Sequence, residues 1–288
     1  MNDPVEWIDP SVSLHRPVLL AAFDGWNDAA NAATGAIDWI LAHSDSAMVA
    51  RIDPEEFFDF QAHRPHIEIV DGDARRVRWP ANEFHAVRSG DRDLVVLRGT
   101  EPSHRWRTFT RTVLDVAQHF GCEEACTFGA LLADVPHTRA PLVTAVANDP
   151  GVAARLGLDQ SRYEGPTGIV GVLHDAARTI DLRSVSLWVP VPHYLQAPPN
   201  PVATRALLDR FSALTGFTVG RSELDDLSDA WLDRVAELVS ADDEVREYVE
   251  TLEDQDEDYD SEYEEREVPS GESIAAELEQ FLRERDDL

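Results

Sequence analysis

Polar and charged residues gather at the ends of several apolar runs in this chain, and their types suit proton transfer or anion binding. Asp24-Gly25-Trp26-Asn27-Asp28 follows the run Val18 to Phe23. Arg98-Gly99-Thr100-Glu101 follows Leu94 to Leu97, Asp134 and His137 follow Ala125 to Leu132, and His193 and Tyr194 follow Val185 to Val189. An imidazole such as that of His137 or His193 could pass a proton. The planar guanidinium of Arg98 could hold an anion. Ligands of open α/β sheets bind outside the carboxyl ends of the strands, which is where these groups would stand. Asn27 or Asp28 could equally cap the helix that follows.

Gly165, Gly168 and Gly171 form a further cluster. Their spacing, GxxGxxG, is not the dinucleotide fingerprint. Backbone N–H groups at a helix start could hold an anion there, with Thr167 as cap. Small residues also let a helix pack closely on a sheet. The expected pocket set is Asp24, Asn27, Asp28, Arg98, Glu101, Asp134, His137, Thr167, Gly168 and His193. None is singled out as catalytic. If the strands are parallel neighbours, the four strand ends converge on one edge.

Composition removes other chemistry. All 25 basic residues are Arg, so no lysine Schiff base, phosphate clamp or general base exists in this sequence. A formal charge of -30 opposes nucleic-acid binding, because phosphate would meet repulsion. His63 and His66 lie near Asp59 but lack a third His at useful spacing. Cys122 and Cys126, four apart, are neither a CxxC redox pair nor a zinc knuckle. They read as small buried residues in a reducing cytosol. There is no GxSxG elbow, HExxH or phosphate-loop motif. No metal and no cofactor is expected.

The elements that must carry these residues follow from periodicity. Val18 to Phe23 is apolar throughout, as a strand buried on both faces should be. A Gly turn and an Ala-rich helix to Leu41 come next. Further strands are expected at 47–52, 84–88, 94–97, 125–132, 142–147 and 185–189, with a hairpin at 67–70 and 75–79. Helices are expected at about 103–120, after Pro150, at 167–180, 201–214, 223–239 and 242–252. Strands alternate with helices up to Thr215 and helices alone follow, which predicts an α/β/α domain over 1–220 and a helical appendage over 221–288. That appendage carries 27 acids against 6 Arg, so most of the excess charge lies in it. The acidic run at about 253–268 is expected to be a flexible connector. A last helix should open at Ser270 or Ser273, with Ile274, Leu278, Phe281 and Leu282 on one stripe. Met1 to Asp9 has no basic residue and no apolar run approaches 18 residues, so neither a signal peptide nor a membrane span is expected.

Five ordered blocks carry a resemblance: LLAAFDGWNDAANAATGAIDWI, RGTEPSHRW, FGALLADVPHTRAPLVTAVAND, YEGPTGIVGVL and SLWVPVPHYLQAPPNPVAT. Together they resemble the bacterial, actinobacterial-type branch of the proteasome assembly chaperone 2 family. The closing VPSGESIAAELEQFLRE is also similar to that branch. The resemblance implies a three-layer α/β/α domain of the phosphorylase/hydrolase-like kind and a homo-oligomer, a trimer by analogy. It implies a chaperone-like, non-enzymatic role in the cytoplasm, with the proteasome or another protein complex as partner. Relatives dock partly through C-terminal tails with a hydrophobic-tyrosine ending. This chain ends Arg285-Asp286-Asp287-Leu288 and departs from that pattern. The residues themselves leave a second reading open: an enzyme or sensor for a nucleoside- or anion-type small molecule at the strand ends.

Overall fold

The computed structural model describes residues 4–70, 74–158 and 163–264. In chain order the elements are β1 (Val5–Trp7), β2 (Val18–Asp24), α1 (Ala32–Ala42), β3 (Asp45–Ile52), β4 (His66–Val70) and β5 (Ala74–Arg78). Next come β6 (Asn82–Arg88), β7 (Leu94–Thr100), α2 (Trp106–His119), β8 (Glu124–Ala133), β9 (Thr144–Ala147) and α3 (Pro150–Leu156). The chain continues with α4 (Ile169–Ala177), β10 (Arg183–Pro192), α5 (Pro201–Thr215), α6 (Ser222–Ser240) and α7 (Asp243–Glu264).

Eight strands form one sheet in the order β1-β3-β6-β7-β2-β8-β10-β9. The four central strands, β7, β2, β8 and β10, are parallel to one another. Antiparallel strands extend both sides. β4 and β5 form a separate two-stranded sheet.

Alternation along β2 explains the layers. Leu19, Ala21 and Phe23 pack with α2 and α4 through Phe109, Val113, Ile169 and Leu173. Val18, Leu20 and Ala22 pack with α1 and α5 through Ala36, Ile37, Leu207 and Phe211. A strand buried on both faces needs helices on both, so the sequence of β2 alone demands three layers. The fold is therefore α/β/α, as the resemblance implies.

The chain divides into two compact units, Met1–Glu237 and Leu238–Leu288. Sheet and flanking helices lie in the first. In the second, α7 starts where the Asp242 carboxylate accepts from the N–H groups of Glu244 and Val245 at 3.0 and 3.3 Å. The helix runs on to Glu264, past the break expected after Leu252. Glu is a good helix former, and like-charge pairs cost only tenths of a kcal/mol each. The expected helix with Ile274, Leu278, Phe281 and Leu282 lies outside the described residues. Among the described residues, no helix is long and apolar enough to cross a membrane.

Candidate functional site

Because β7, β2, β8 and β10 are parallel neighbours, the polar groups that follow them stand along one edge of the sheet. β2 leads to a helix on one face and β7 to a helix on the other. The crevice between their carboxyl ends is thus a topological switch point, the usual ligand position in such sheets.

The chain fills that crevice with its own groups. Gly25, at φ +135°, turns the backbone after β2, and a Cβ there would stand 3.1 Å from Glu101 Cβ. The Glu101 N–H donates to the Asp24 carbonyl at 2.9 Å. Its carboxylate Oε1 accepts from Asn27 Nδ2 at 3.0 Å and from the Ile169 N–H at 2.8 Å. Ile169 opens α4, so a carboxylate of the protein sits at the positive end of that helix. Gly168 is the cap residue of α4, and no side chain of its own caps it. Thr167 does not fill that role. A Cβ on Gly168 would meet Asn27 Nδ2 at 2.1 Å, which explains why the smallest residue is needed here. Asn27 Oδ1 is buried without a hydrogen-bond partner.

Asp28 and Asn27 divide the two roles the sequence left open. Asp28 Oδ1 accepts from the N–H groups of Ala33 and Thr34, at 2.8 and 3.2 Å, and its other oxygen takes the Thr34 hydroxyl. It therefore caps α1, while Asn27 binds Glu101. Burial raises the Asp28 carboxyl above its ordinary value of 3.8, and the bonds from Thr34 and Ala33 offset part of that rise.

Arg98 turns to the opposite face. Its guanidinium reaches Asp38 of α1 at 3.2 and 3.4 Å and the Gly99 carbonyl at 3.4 Å. It does not join Glu101. The ends of β8 and β10 form a second cluster. His193 Nδ1 lies 3.0 Å from Asp134 Oδ1. Tyr194 Oη accepts from the His137 backbone N–H and hydrogen-bonds His137 Nδ1, both at 2.9 Å. Tyr194 was absent from the expected pocket set. Its place directly after His193, at the end of β10, is the signal that marks it.

The model of the PAC2 family matches residues 22–239. The chain belongs to the PAC2 family. A PAC2 family protein from Streptomyces avermitilis is 43% identical, with 81% of this chain and 99% of that one covered at a TM-score of 0.77. The Mycobacterium tuberculosis proteasome-assembly chaperone homologue Rv2125 is 40% identical over the same shares, 81% and 99%, at a TM-score of 0.74. The Pyrococcus furiosus archaeal proteasome activator PbaB shares the fold at 16% identity, with 82% and 99% covered and a TM-score of 0.65. No curated protein matches the chain.

Other features of this PAC2 family member bear on chemistry. Among the described residues, no group of three or more His, Cys, Asp and Glu could hold a metal ion. Cys122 and Cys126 are buried free thiols; burial pushes Cys122 up to about 12 and raises Cys126 as well. Neither is a nucleophile in that state. A groove of about 470 Å³ lies between the Ala140–Val143 segment and α5, with Arg205 and Arg210 on its wall. None of its lining residues belongs to the expected pocket set. Four large apolar side chains stand exposed toward the same sheet edge as the polar clusters: Trp26 after β2, Leu131 and Leu132 at the end of β8, and Leu142 before β9.

Proposed function

We propose that the protein is a non-enzymatic, chaperone-like assembly module that binds a protein partner along the carboxyl edge of its sheet. The observation that carries this reading is the exposure of Trp26, Leu131, Leu132 and Leu142 beside polar groups already bonded to one another. Apolar surface rimmed by polar residues favours protein contact. The 40% identity to a proteasome-assembly chaperone homologue supports an assembly role. In this reading the protein is cytoplasmic, self-associates as a homotrimer, and meets the proteasome or another protein complex. Capture of the tagged chain from its own cells, with mass spectrometry, tests it against a Trp26→Asp/Leu132→Asp variant. Subunits of one complex should enrich with the parent and fall at least tenfold with the variant. Equal enrichment with both, or none with either, overturns the reading.

A second reading is favoured by one observation, the switch-point crevice with the buried, unpartnered Asn27 Oδ1. It makes the protein an enzyme or sensor for a nucleoside- or anion-type ligand, with Asp24, Asn27, Asp134, His137 and His193 in the pocket. A thermal-shift screen with nucleosides, nucleotides and phosphate should then give at least one saturable rise in Tm. Silence across the panel removes this reading.

A further inference from the structure

The large sheet ends at β9, and no described strand pairs with its outer side. Hydrogen-bonded pairs alternate along antiparallel strands. The Asn148 N–H donates to the Ser184 carbonyl at 3.0 Å, so the register makes Val146 and Thr144 bond toward β10 as well. The main-chain groups of Ala145 and Ala147 therefore point outward. Natural sheet edges are blunted by charge, proline or a bulge. Thr144-Ala145-Val146-Ala147 carries no charge and no proline, and its register runs without a shift. The opposite edge, β1, is only three residues long and carries Glu6, paired with Arg51.

Beside this edge lies the groove of about 470 Å³ between residues 140–143 and α5. Ala145 stands opposite Leu187, which packs toward α1 and α5, and cross-strand neighbours share a face. A strand added next to β9 would turn alternate side chains over α5 and into the groove. Val143, Val202, Ala206 and Ala213 give the groove apolar walls. Of its charged residues, Asp209 is taken by Arg221, and Arg205 lies 3.6 Å from Asp225. Among the described residues no carboxylate pairs with Arg210, and its Nε is buried without an acceptor. A guanidinium keeps its charge, and a charge withdrawn from water needs a counter-ion. These features specify the occupant: outward N–H and C=O groups suit another main chain, the walls suit aliphatic side chains, and Arg210 suits a carboxylate. We propose that β9 takes up an extended segment of a partner protein as a further strand, with a Glu or Asp of that segment reaching Arg210 and aliphatic residues two positions away lying in the groove. The β9 strand of a second copy would bring no acid to Arg210. The proposal rests on the protein-binding reading and assigns it a second surface.

A displayed library of random heptapeptides, selected on the full-length protein, supplies the probe. Enriched sequences should set an acid between aliphatic or β-branched residues two positions to either side. Synthetic copies should bind saturably, slow hydrogen exchange at the Ala145 and Ala147 amides, and bind Arg210→Glu at least tenfold more weakly. Replacing the peptide's acid by its amide should cost as much, and that reading needs no change in the protein. Ala145→Pro removes one outward N–H and leaves the bonds to β10, so it should also weaken binding at least tenfold. Peptides N-methylated along the edge that faces β9 test the same bonds on the parent, even where the proline variant does not fold. Binding that survives both Arg210→Glu and the amide overturns the acid pairing. Binding indifferent to N-methylation overturns strand addition, and failure to enrich any peptide overturns the site. Peptides that break up an oligomer of the protein would make a second copy the occupant and overturn the assignment to a partner. In each of these failures the capture experiment with Trp26→Asp/Leu132→Asp still decides the wider protein-binding reading.

Discussion

Glu101 does at the residue scale what a bound anion does in many α/β proteins. Its carboxylate occupies the N-terminal end of α4 and is held by Asn27. The fit depends on Gly168, because an added methyl group would overlap the Asn27 amide at 2.1 Å, and that amide is buried. Gly168→Ala should therefore cost about 1–3 kcal/mol, the usual range for overpacking. Gly171→Ala is the matched control. Its Cβ meets the hydroxyl of exposed Thr167, which can rotate away, and α4 gains helix propensity of about 0.5–1 kcal/mol. Denaturant unfolding should rank the parent above Gly168→Ala and near Gly171→Ala. Asp28 gives a pH-dependent test. Its folded carboxyl titrates above the unfolded value, so the folded state binds more protons between the two. The stability it contributes is present below 3.8 and falls as pH rises through the folded value. Asp28→Asn keeps the acceptor for the Ala33 and Thr34 N–H groups and removes the titration. Unfolding free energies from about pH 3.5 to 7 should show the variant gaining on the parent as pH rises. A constant difference would refute the assignment.

Elements in this protein are tied together by caps that come from elsewhere in the chain, and these ties divide what the sequence shows from what it hides. Where a cap is local, sequence reading finds it. Asn200 precedes Pro201, and its Oδ1 accepts from the Ala203 N–H at 3.0 Å, opening α5, the helix expected at 201–214. Asn200→Ala should lower stability by about 1 kcal/mol, more than Asn200→Asp, read from thermal or denaturant midpoints. Where a cap is remote, the sequence carries no sign of it. Glu101 lies 68 residues from Ile169, and nothing in either segment announces the bond. Periodicity revealed the strands because burial on both faces leaves an unbroken apolar run in β2. It gave no hint that Arg98 turns toward Asp38 on α1, since that depends on which helix follows which strand. Three-residue β1 escaped notice for a related reason: VEW is too short to show alternation, and it exists by pairing with β3. The four strand ends were legible as types of residue. Their alignment on one edge became visible only through the pairing of β7, β2, β8 and β10.

Charge is the property that acts across the whole molecule. The second unit, from Leu238 onward, carries 21 acids against 4 Arg in 51 residues, whereas the sheet-bearing unit spreads 34 acids and 21 Arg over 237 residues. In α7, Asp243 and Glu247 stand at i, i+4, as do Glu250 and Asp254, and Glu244 and Glu247 at i, i+3. Each like-charge pair works against the helix by about 0.2–0.5 kcal/mol at low salt. The Arg246–Asp243 pair, at 2.7 Å, offsets part of that repulsion. Screening should then strengthen this helix while leaving the buried sheet almost untouched, because packing rather than charge holds β2 and its neighbours. The measurement is the helical circular-dichroism signal of the full chain and of a chain ending at Glu237, from about 0.02 to 0.5 M salt. The full chain should gain helical signal as salt rises. The shorter chain should show no such response and should unfold at a nearly unchanged midpoint, since it keeps Leu224 packed with α1 and α5. Ending the chain at Gly220 removes Leu224 as well, and that chain should lose stability by about 2–5 kcal/mol, as for deletion of a buried leucine. Identical salt responses in the full chain and the chain ending at Glu237 would mean that α7 is not strained by its own charge.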